Sequence, residues 1–386
     1  MDKKISNTRS LSSATVLQTI IENKDVSRAF ISKQTKLSKP AVSDIVTELI
    51  NENLVLEKGS GESSVYGGRK PILLEFNADC ASIISLDVSP DIISYCLSNL
   101  DGSQYMFDTA CLKSNNSLIV SQIKEIITQL INKNGDTIPI IAISIAIHGM
   151  TVNNQIVYTP NYKLDQIDLY QTLIDEFNIQ VYINNEANLS ALGEFTFGNY
   201  PESLININIH YGVGAGILEN GQLVTGHHGL VGEMGHSIIV PFGRLCPCGN
   251  EGCLEQYISI PSLMKELEEN EVDIHNIRKE WEQNPICQMI LRKNFQYLGV
   301  TLNNLITILE PELIVINSEI LSEIPELFTE IHSVINNKYA QNIPIKASNL
   351  AFNTSILGCI AFATRQYLQV DTIKFNCLYY TQNRES

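Results

Sequence analysis

No stretch of the chain carries the roughly 18 consecutive apolar residues that mark a membrane-spanning helix, so no span is expected. The N-terminus, from Met1 to Ser10, has charges but no apolar segment behind them, and a secretory leader is not expected. Basic residues are in short supply: 26 Lys and Arg stand against 42 Asp and Glu, a formal net charge of −16. Taken over the whole molecule, that deficit resists non-specific sticking to polyanions. Charged residues make up only 18% and apolar ones 44%, a globular balance with ample material for cores. A paired cysteine framework is also lacking, since the nine cysteines are odd in number and unevenly spaced.

The 386 residues that remain to be explained suit two or three domains. Three cysteines crowd together as Cys246, Cys248 and Cys253, which points to a metal site in a reducing cytosol. The charge is not evenly spread. Residues 1–70 carry a net +3 and the remainder −19, so only the N-terminal part is suited to approach phosphate.

That N-terminal part reads as three short helices and a β-hairpin. Val16, Leu17, Ile20 and Ile21 form an apolar stripe between Ser12 and Asn23. Ser27 is placed to cap a second helix, with Phe30 and Ile31 inward and Leu37 closing it. Ser38 caps a third, and Pro40 falls in its first turn, where a missing N–H is harmless. The inward face of this helix is Val42, Ile45, Val46, Leu49 and Ile50. Asn53 to Glu57 reads as a strand, and the glycines between Gly59 and Gly68 as a hairpin tip. The order is that of a winged helix-turn-helix, whose third helix enters the major groove by its first turn. Ser38, Lys39, Ala41, Val42, Ser43 and Asp44 are the expected DNA-contact residues of that turn, with Val42 counted on the inward face as well. The helix N-terminus favours phosphate, while Asp44 would accept from cytosine N4. Arg69, just after the wing, is expected in a minor groove or on a backbone phosphate.

Beyond residue 75 the same design occurs twice. Ala81 to Asp87, Asp91 to Leu97 and the turn at Asp101-Gly102 match Leu204 to His210, Gly214 to Leu218 and the turn at Asn220-Gly221. Each is a strand, a tight connection, a second strand and a hairpin signal. Each precedes helical segments and a buried strand, Ile140 to Ile147 in one copy and Glu312 to Ile316 in the other. A duplicated α/β fold with two lobes follows, of the actin-like, ribonuclease-H-like kind found in sugar kinases. The expected domains are 1–75 for DNA binding and 76–386 for ligand binding. Within the latter, a small lobe spans about 78–185 plus the C-terminal segment, and a large lobe about 186–360. Leu263 to Lys293 is expected to be a charged, solvated helical face, and the stretch after Val370 a final strand and tail.

The strongest local signal is His236 followed by Cys246-Pro247-Cys248-Gly249-Asn250-Glu251-Gly252-Cys253. Three thiolates and one imidazole make a closed tetrahedral set for structural Zn2+, with no position left for catalytic water. Gly249 and Gly252 permit the tight turns of such a loop. Flanking polar groups are suited to bidentate hydrogen bonds with a sugar: Glu233, Glu255, and Asn185-Glu186 at the end of the strand Val181-Tyr182-Ile183. His227-His228 reads as a loop rather than a second metal site.

The succession Gly212-Val213-Gly214-Ala215-Gly216, Gly232-Glu233-Met234-Gly235-His236, Cys246-Pro247-Cys248-Gly249 and Gly252-Cys253-Leu254-Glu255 resembles the ROK family of repressors and sugar kinases. The N-terminal module places the resemblance in the repressor branch. Ile147-His148-Gly149, Tyr158-Thr159-Pro160-Asn161 and Asn185-Glu186-Ala187-Asn188 are similar to its xylose-responsive members. The resemblance implies a sugar site made of Gly149, Asn185, Glu186, Glu233, His236 and Glu255, with His236 also a zinc ligand. Glu186 stands where the kinases carry an Asp base. The extra methylene carries its carboxylate farther into the pocket, which would suit a five-carbon sugar.

The nucleotide elements of the kinases are damaged by the same comparison. An Asp-x-Gly-Gly-Thr-like phosphate turn is replaced by Asp87-Val88-Ser89-Pro90-Asp91, which loses both glycines and an N–H donor and gains a charge. Consecutive glycines on the adenosine side are replaced by Ile316-Asn317-Ser318-Glu319. The expectation is therefore a cytoplasmic, nucleoid-associated bacterial repressor without enzymatic activity. It would act as a homodimer on palindromic double-stranded operator DNA, and a sugar inducer, D-xylose first among candidates, would close the cleft and release it. The alternatives are a glucokinase-like kinase, a regulator answering to glucose or N-acetylglucosamine or strengthened by its sugar, and one released by a protein partner.

Overall fold

The computed structural model describes residues 9–60, 70–104, 106–113, 116–135, 138–338, 340, 342–350 and 353–375. Contacts divide the chain into two compact units, one of residues 1–184 with 356–386 and one of residues 185–355.

The first unit opens with helices α1 (Leu11–Glu22), α2 (Arg28–Thr35) and α3 (Lys39–Asn51). Ser10, Ser27 and Ser38 each accept a backbone N–H at a helix start, which satisfies one of the donors a helix leaves unpaired there. The helices bury Val16, Leu17, Ile20, Ile31, Val42, Val46 and Leu49 against one another. Strands β1 (Val26–Ser27), β2 (Val55–Ser60) and β3 (Ile72–Phe76) form a small sheet in the order β1-β3-β2, antiparallel throughout. The expected strand from Asn53 starts two residues later because Asn53 takes a positive φ at the helix exit. The wing tip and Arg69 lie outside the described residues.

The rest of this unit is built on β4 (Ser82–Val88), β5 (Ile92–Asn99), β6 (Met106–Cys111), helix α4 (Asn116–Asn134) and β7 (Ile140–Ile147). A short hairpin, β8 (Met150–Val152) and β9 (Gln155–Tyr158), and helix α5 (Leu169–Phe177) precede β10 (Gln180–Asn185). The sheet order is β6-β5-β4-β7-β10, with β4 antiparallel to β5 and parallel to β7. Ile84, Leu86, Ile143, Ile145, Ile123 and Ile127 form its core. Each contributes roughly 1.5–3 kcal/mol on burial.

The second unit repeats the plan. After α6 (Glu186–Phe197) come β11 (Leu204–Ile209), β12 (Val213–Glu219) and β13 (Gln222–Leu223). Helices α7 (Glu255–Ile258), α8 (Ile260–Glu269), α9 (Ile277–Gln283) and α10 (Pro285–Leu309) lead to β14 (Leu313–Ser318), α11 (Glu319–Glu323), α12 (Leu327–Ser333) and β15 (Ile345–Ala347). The order β13-β12-β11-β14-β15 is the first sheet's order over again, with β11 antiparallel to β12 and parallel to β14. The doubled pattern read from the strands is thus a doubled sheet, the two-lobed actin-like sugar-kinase fold. Helix α13 (Thr354–Leu368) returns the chain to the first unit, to which residues from 356 belong.

One expectation is corrected. Leu263 to Lys293 is helical but not a solvated face: Leu263, Leu267, Trp281, Cys287, Ile290 and Leu291 are buried in the second unit's core, and only the opposite faces carry the charges. Of the expected final strand and tail after Val370, residues 376–386 lie outside the described residues, and residues 371–375 are not in a strand. They lie along the N-terminal module instead, where Gln18 donates to Thr372 Oγ1 and the rings of Phe76 and Phe375 stack at 6.2 Å. Arg9 joins this contact, its guanidinium donating to Leu368 O at 2.9 Å and to Glu52 at 2.8 Å.

Candidate functional site

On α3, Ser38, Lys39 and Asp44 are exposed and Ala41 and Ser43 half-buried. Val42 is fully buried, and this corrects its place among the DNA contacts. Its side chain fills the three-helix core and has no path to a base edge.

The metal-type loop is shaped by its own backbone. Gly249 N–H donates to Cys246 O and Cys246 N–H to Asn250 O, both at 2.9 Å, which folds the three cysteines onto one side. Gly249 and Gly252 take φ of +98° and +83°, and a Cβ at Gly252 would stand 1.6 Å from Val240 O. Arg244 ties the loop to α7 and α8: it lies over the Tyr257 ring at 4.7 Å and pairs with Glu266 at 2.9 Å. One donor atom from each of His236, Cys246, Cys248 and Cys253 falls within 4.8 Å of all the others. Cys248 and Cys253 sulfurs are 3.6 Å apart, and Cys246 Sγ is 3.6 Å from His236 Nδ1. Tetrahedral zinc with Zn–S bonds of about 2.3 Å needs sulfurs about 3.8 Å apart, so the set fits that ion. Burial, and then the neighbouring thiols, push the Cys253 thiol up to about 12, a crowding that a cation would relieve.

The carboxylates gather around Val213. Glu255 Oε2 accepts its N–H at 3.1 Å, and the backbone at Gly235 runs so close that a Cβ there would be 2.3 Å from its carbonyl oxygen. This close approach brings the short helical turn Met234–His236 beside Glu255. Glu233 Oε2 lies 3.9 Å from His236 Nε2. Burial raises the Glu233 carboxyl above its ordinary value; His236 partly offsets this and Glu255 adds to it. One residue pair farther along, Asn208 of β11 faces Gly214 of β12, and its amide donates to Glu186 at the first position of α6. Asn185 Oδ1 caps α6 by accepting from Asn188 N–H at 3.1 Å. The second unit therefore holds Asn185, Glu186, Glu233, His236 and Glu255, and Gly149 belongs to the first, at the end of β7. There a Cβ would stand 2.3 Å from Tyr158 O, so the β8–β9 hairpin leaves room for glycine alone.

The turn from β4 to β5 is closed on itself. Ser89 N–H donates to Ile92 O at 3.0 Å, Ser89 Oγ donates to the same oxygen at 2.7 Å, and Ile92 N–H donates back to Ser89 Oγ at 3.3 Å. Those N–H groups are spent inside the turn rather than aimed at a phosphate. The glycines of Gly212 to Gly216 have another use as well. Gly214 and Gly216 lie on β12 under α6, where added Cβ atoms would meet Ala187 Cβ at 3.0 Å and Ala191 Cβ at 2.4 Å. They allow a helix to sit tightly on a strand.

Residues 83–366 match the ROK family. The chain belongs to the ROK family. A ROK relative, the xylose repressor of Bacillus spizizenii, is 35% identical over 370 residues, covering 92% of this chain and 95% of its own. Among solved structures, a ROK family transcriptional regulator described as a homologue of the E. coli MLC protein has a TM-score of 0.79 at 22% identity, over 93% of this chain and 98% of that one. A ROK glucokinase from Streptomyces griseus, solved with glucose and AMPPNP, has a TM-score of 0.64 at 20% identity, over 74% and 100%. At those identities the structures establish a shared fold.

The sequence reading missed Asn208 of β11 and its neighbour Asn206, whose amide donates to Asn208 Oδ1 at 3.0 Å. It also missed the pairing of His148 Nε2 with Asp87 at 2.9 Å. The two asparagines left a trace, as the only polar residues in Leu204–Ile209. His148 and Asp87 end neighbouring strands, and only the pairing of β4 with β7 brings them together.

Proposed function

We propose that this chain is a sugar-responsive transcriptional repressor whose inducer is D-xylose. The observation that carries this reading is the helical module Leu11–Asn51, which stands ahead of the family-matched residues 83–366 in a chain similar over nearly its full length to a xylose repressor. Its third helix offers an exposed Ser38-Lys39 start, suited to the major groove and its phosphates, with β2 and β3 as the stem of a wing. Ser38, Lys39, Ala41, Ser43, Asp44 and Arg69 are the proposed DNA contacts. The protein acts as a homodimer, with two such helices on a palindrome about one helical turn apart.

The sugar is held by Asn185, Glu186, Glu233, His236 and Glu255, all of the second unit. Zinc, held by His236 Nδ1 and the sulfurs of Cys246, Cys248 and Cys253, would act as a structural cross-link. Its set is complete without water, so it supplies rigidity rather than chemistry. Glu233 and Glu255 flank the loop that it stiffens, and a preorganised site loses less on binding. Induction requires that sugar bind the DNA-released form more tightly. Moving from 99:1 bound to 99:1 released takes roughly 5.5 kcal/mol of differential affinity across the dimer.

The chain is not a kinase in this reading. The Ser89 turn, closed by its own hydrogen bonds, supports that, as does the use of Gly214 and Gly216 in helix packing. A thermal-shift screen of pentoses and hexoses, each with and without ATP, tests the proposal. D-xylose is expected to raise the melting temperature, and ATP to add nothing. ATP-dependent phosphorylation of any aldose would overturn it.

A further inference from the structure

Strand β11 is central to its sheet, between β12 and β14. A strand covered on both faces is ordinarily apolar along its length. Ile205, Ile207 and Ile209 obey this and enter the core. Asn206 and Asn208, on the other face, do not, and they are 0% and 2% exposed. That face lies under α6: Gly216, opposite Asn206, meets Ala191, and Gly214, opposite Asn208, meets Ala187. Buried amides on a packing face are costly unless bonded, so their presence needs a reason.

The bonds supply one. Asn206 Nδ2 donates to Asn208 Oδ1 at 3.0 Å, and Asn208 Nδ2 donates to Glu186 Oε1. A carboxylate oxygen accepts, which forces Asn208 to turn its NH2 towards Glu186 and leaves its carbonyl for Asn206. The relay therefore has one direction and one end. Asn206 Oδ1 has no partner among the described residues, so nothing there competes to turn the relay round. Glu186 is half-buried at the start of α6, and its other oxygen makes no hydrogen bond among the described residues.

We propose that Asn208, oriented by Asn206, is a positioning residue of the sugar site: it pins Glu186 Oε1 so that Oε2 is presented to a sugar hydroxyl. This rests on the sugar-responsive reading above. Asn208 touches no sugar itself. It removes the rotational freedom of the one proposed sugar-site carboxylate that does not flank the metal-type loop, and so sharpens the choice among hydroxyl arrangements.

Isothermal titration of D-xylose, D-glucose and N-acetylglucosamine into the full chain tests it, with Asn208→Ala, Glu186→Gln and the double variant beside wild type. Asn208→Ala is expected to weaken the preferred sugar about tenfold. In the Glu186→Gln background the same change is expected to cost nothing further, because its effect passes through Glu186. Asn208→Asp, which keeps the side-chain shape and sets a carboxylate against Glu186, is expected to weaken binding at least as much, and serves if the alanine variant does not fold. Asn208 variants that titrate like wild type, or losses that add to that of Glu186→Gln, would overturn the role of Asn208 and leave the sugar reading standing. A wild-type chain that takes up none of the three sugars would overturn both.

Discussion

His236 and Glu233 face each other across 3.9 Å, from imidazole Nε2 to carboxylate Oε2, while Nδ1 of the same ring looks into the three thiols. One side chain thus joins the metal set to the carboxylates. Loss of the metal should therefore be felt in ligand binding as well as in stability. Cys253→Ser, at a fully buried sulfur, is expected to remove the one zinc per chain that elemental analysis should find in wild type. It should lower the melting temperature by on the order of 10 °C and weaken sugar binding at least tenfold. Full sugar affinity in a zinc-free variant would separate the two.

Glu194 is buried on α6, hydrogen-bonded by Ser348, and burial raises its carboxyl to about 7 despite that bond. Its ordinary value is 4.5, so the folded state holds the proton more tightly than the unfolded chain. The associated stability is complete below about 4.5 and is lost as pH rises through 7, on the order of 3 kcal/mol in all. Glu194→Gln is expected to flatten the melting temperature across that window and to melt above wild type at higher pH. Parallel pH profiles for the two proteins would count against this.

The third helix divides into an exposed edge, proposed to read DNA, and a core edge. Lys39→Ala is expected to weaken operator binding evenly across sequences and to reduce the salt slope by about 1, with little change in melting. Val42→Ala leaves a cavity in the core instead and should cost about 2 kcal/mol of stability. Salt-dependent anisotropy together with denaturant melting would reveal any reversal of these roles.

Gly149→Ala would set a methyl group 2.3 Å from Tyr158 O, which the β8–β9 hairpin must yield to. Destabilisation of roughly 1–3 kcal/mol is expected. A variant that melts like wild type would count against a tight hairpin contact at Gly149.

What the sequence made legible were the features with local causes. Ser27 and Ser38 announced their helices because capping is a matter of three residues, and the two strand-turn-strand copies announced their sheets by hydrophobic period and turn residues. The clustering of thiols was readable because Cys246, Cys248 and Cys253 sit in one loop. What stayed hidden depends on partners far along the chain. Asn206 and Asn208 alternate with isoleucines as an edge strand's solvent face would, and only the seating of α6 on β11 shows them buried. Leu263 to Lys293 has enough charge to suggest a solvated face, yet its leucines and Trp281 fill a core made by α10 and α12. Thr372 and Phe375 look like tail residues until they are seen against α1 and β3.

The most direct test of the central claim is fluorescence anisotropy of the full chain on DNA from its own upstream region, titrated with D-xylose at fixed salt. The account predicts a high anisotropy that falls as the sugar saturates, with Glu186→Gln needing at least tenfold more sugar for the same release. Anisotropy that stays unchanged at sugar concentrations shown by thermal shift to saturate the protein would contradict it.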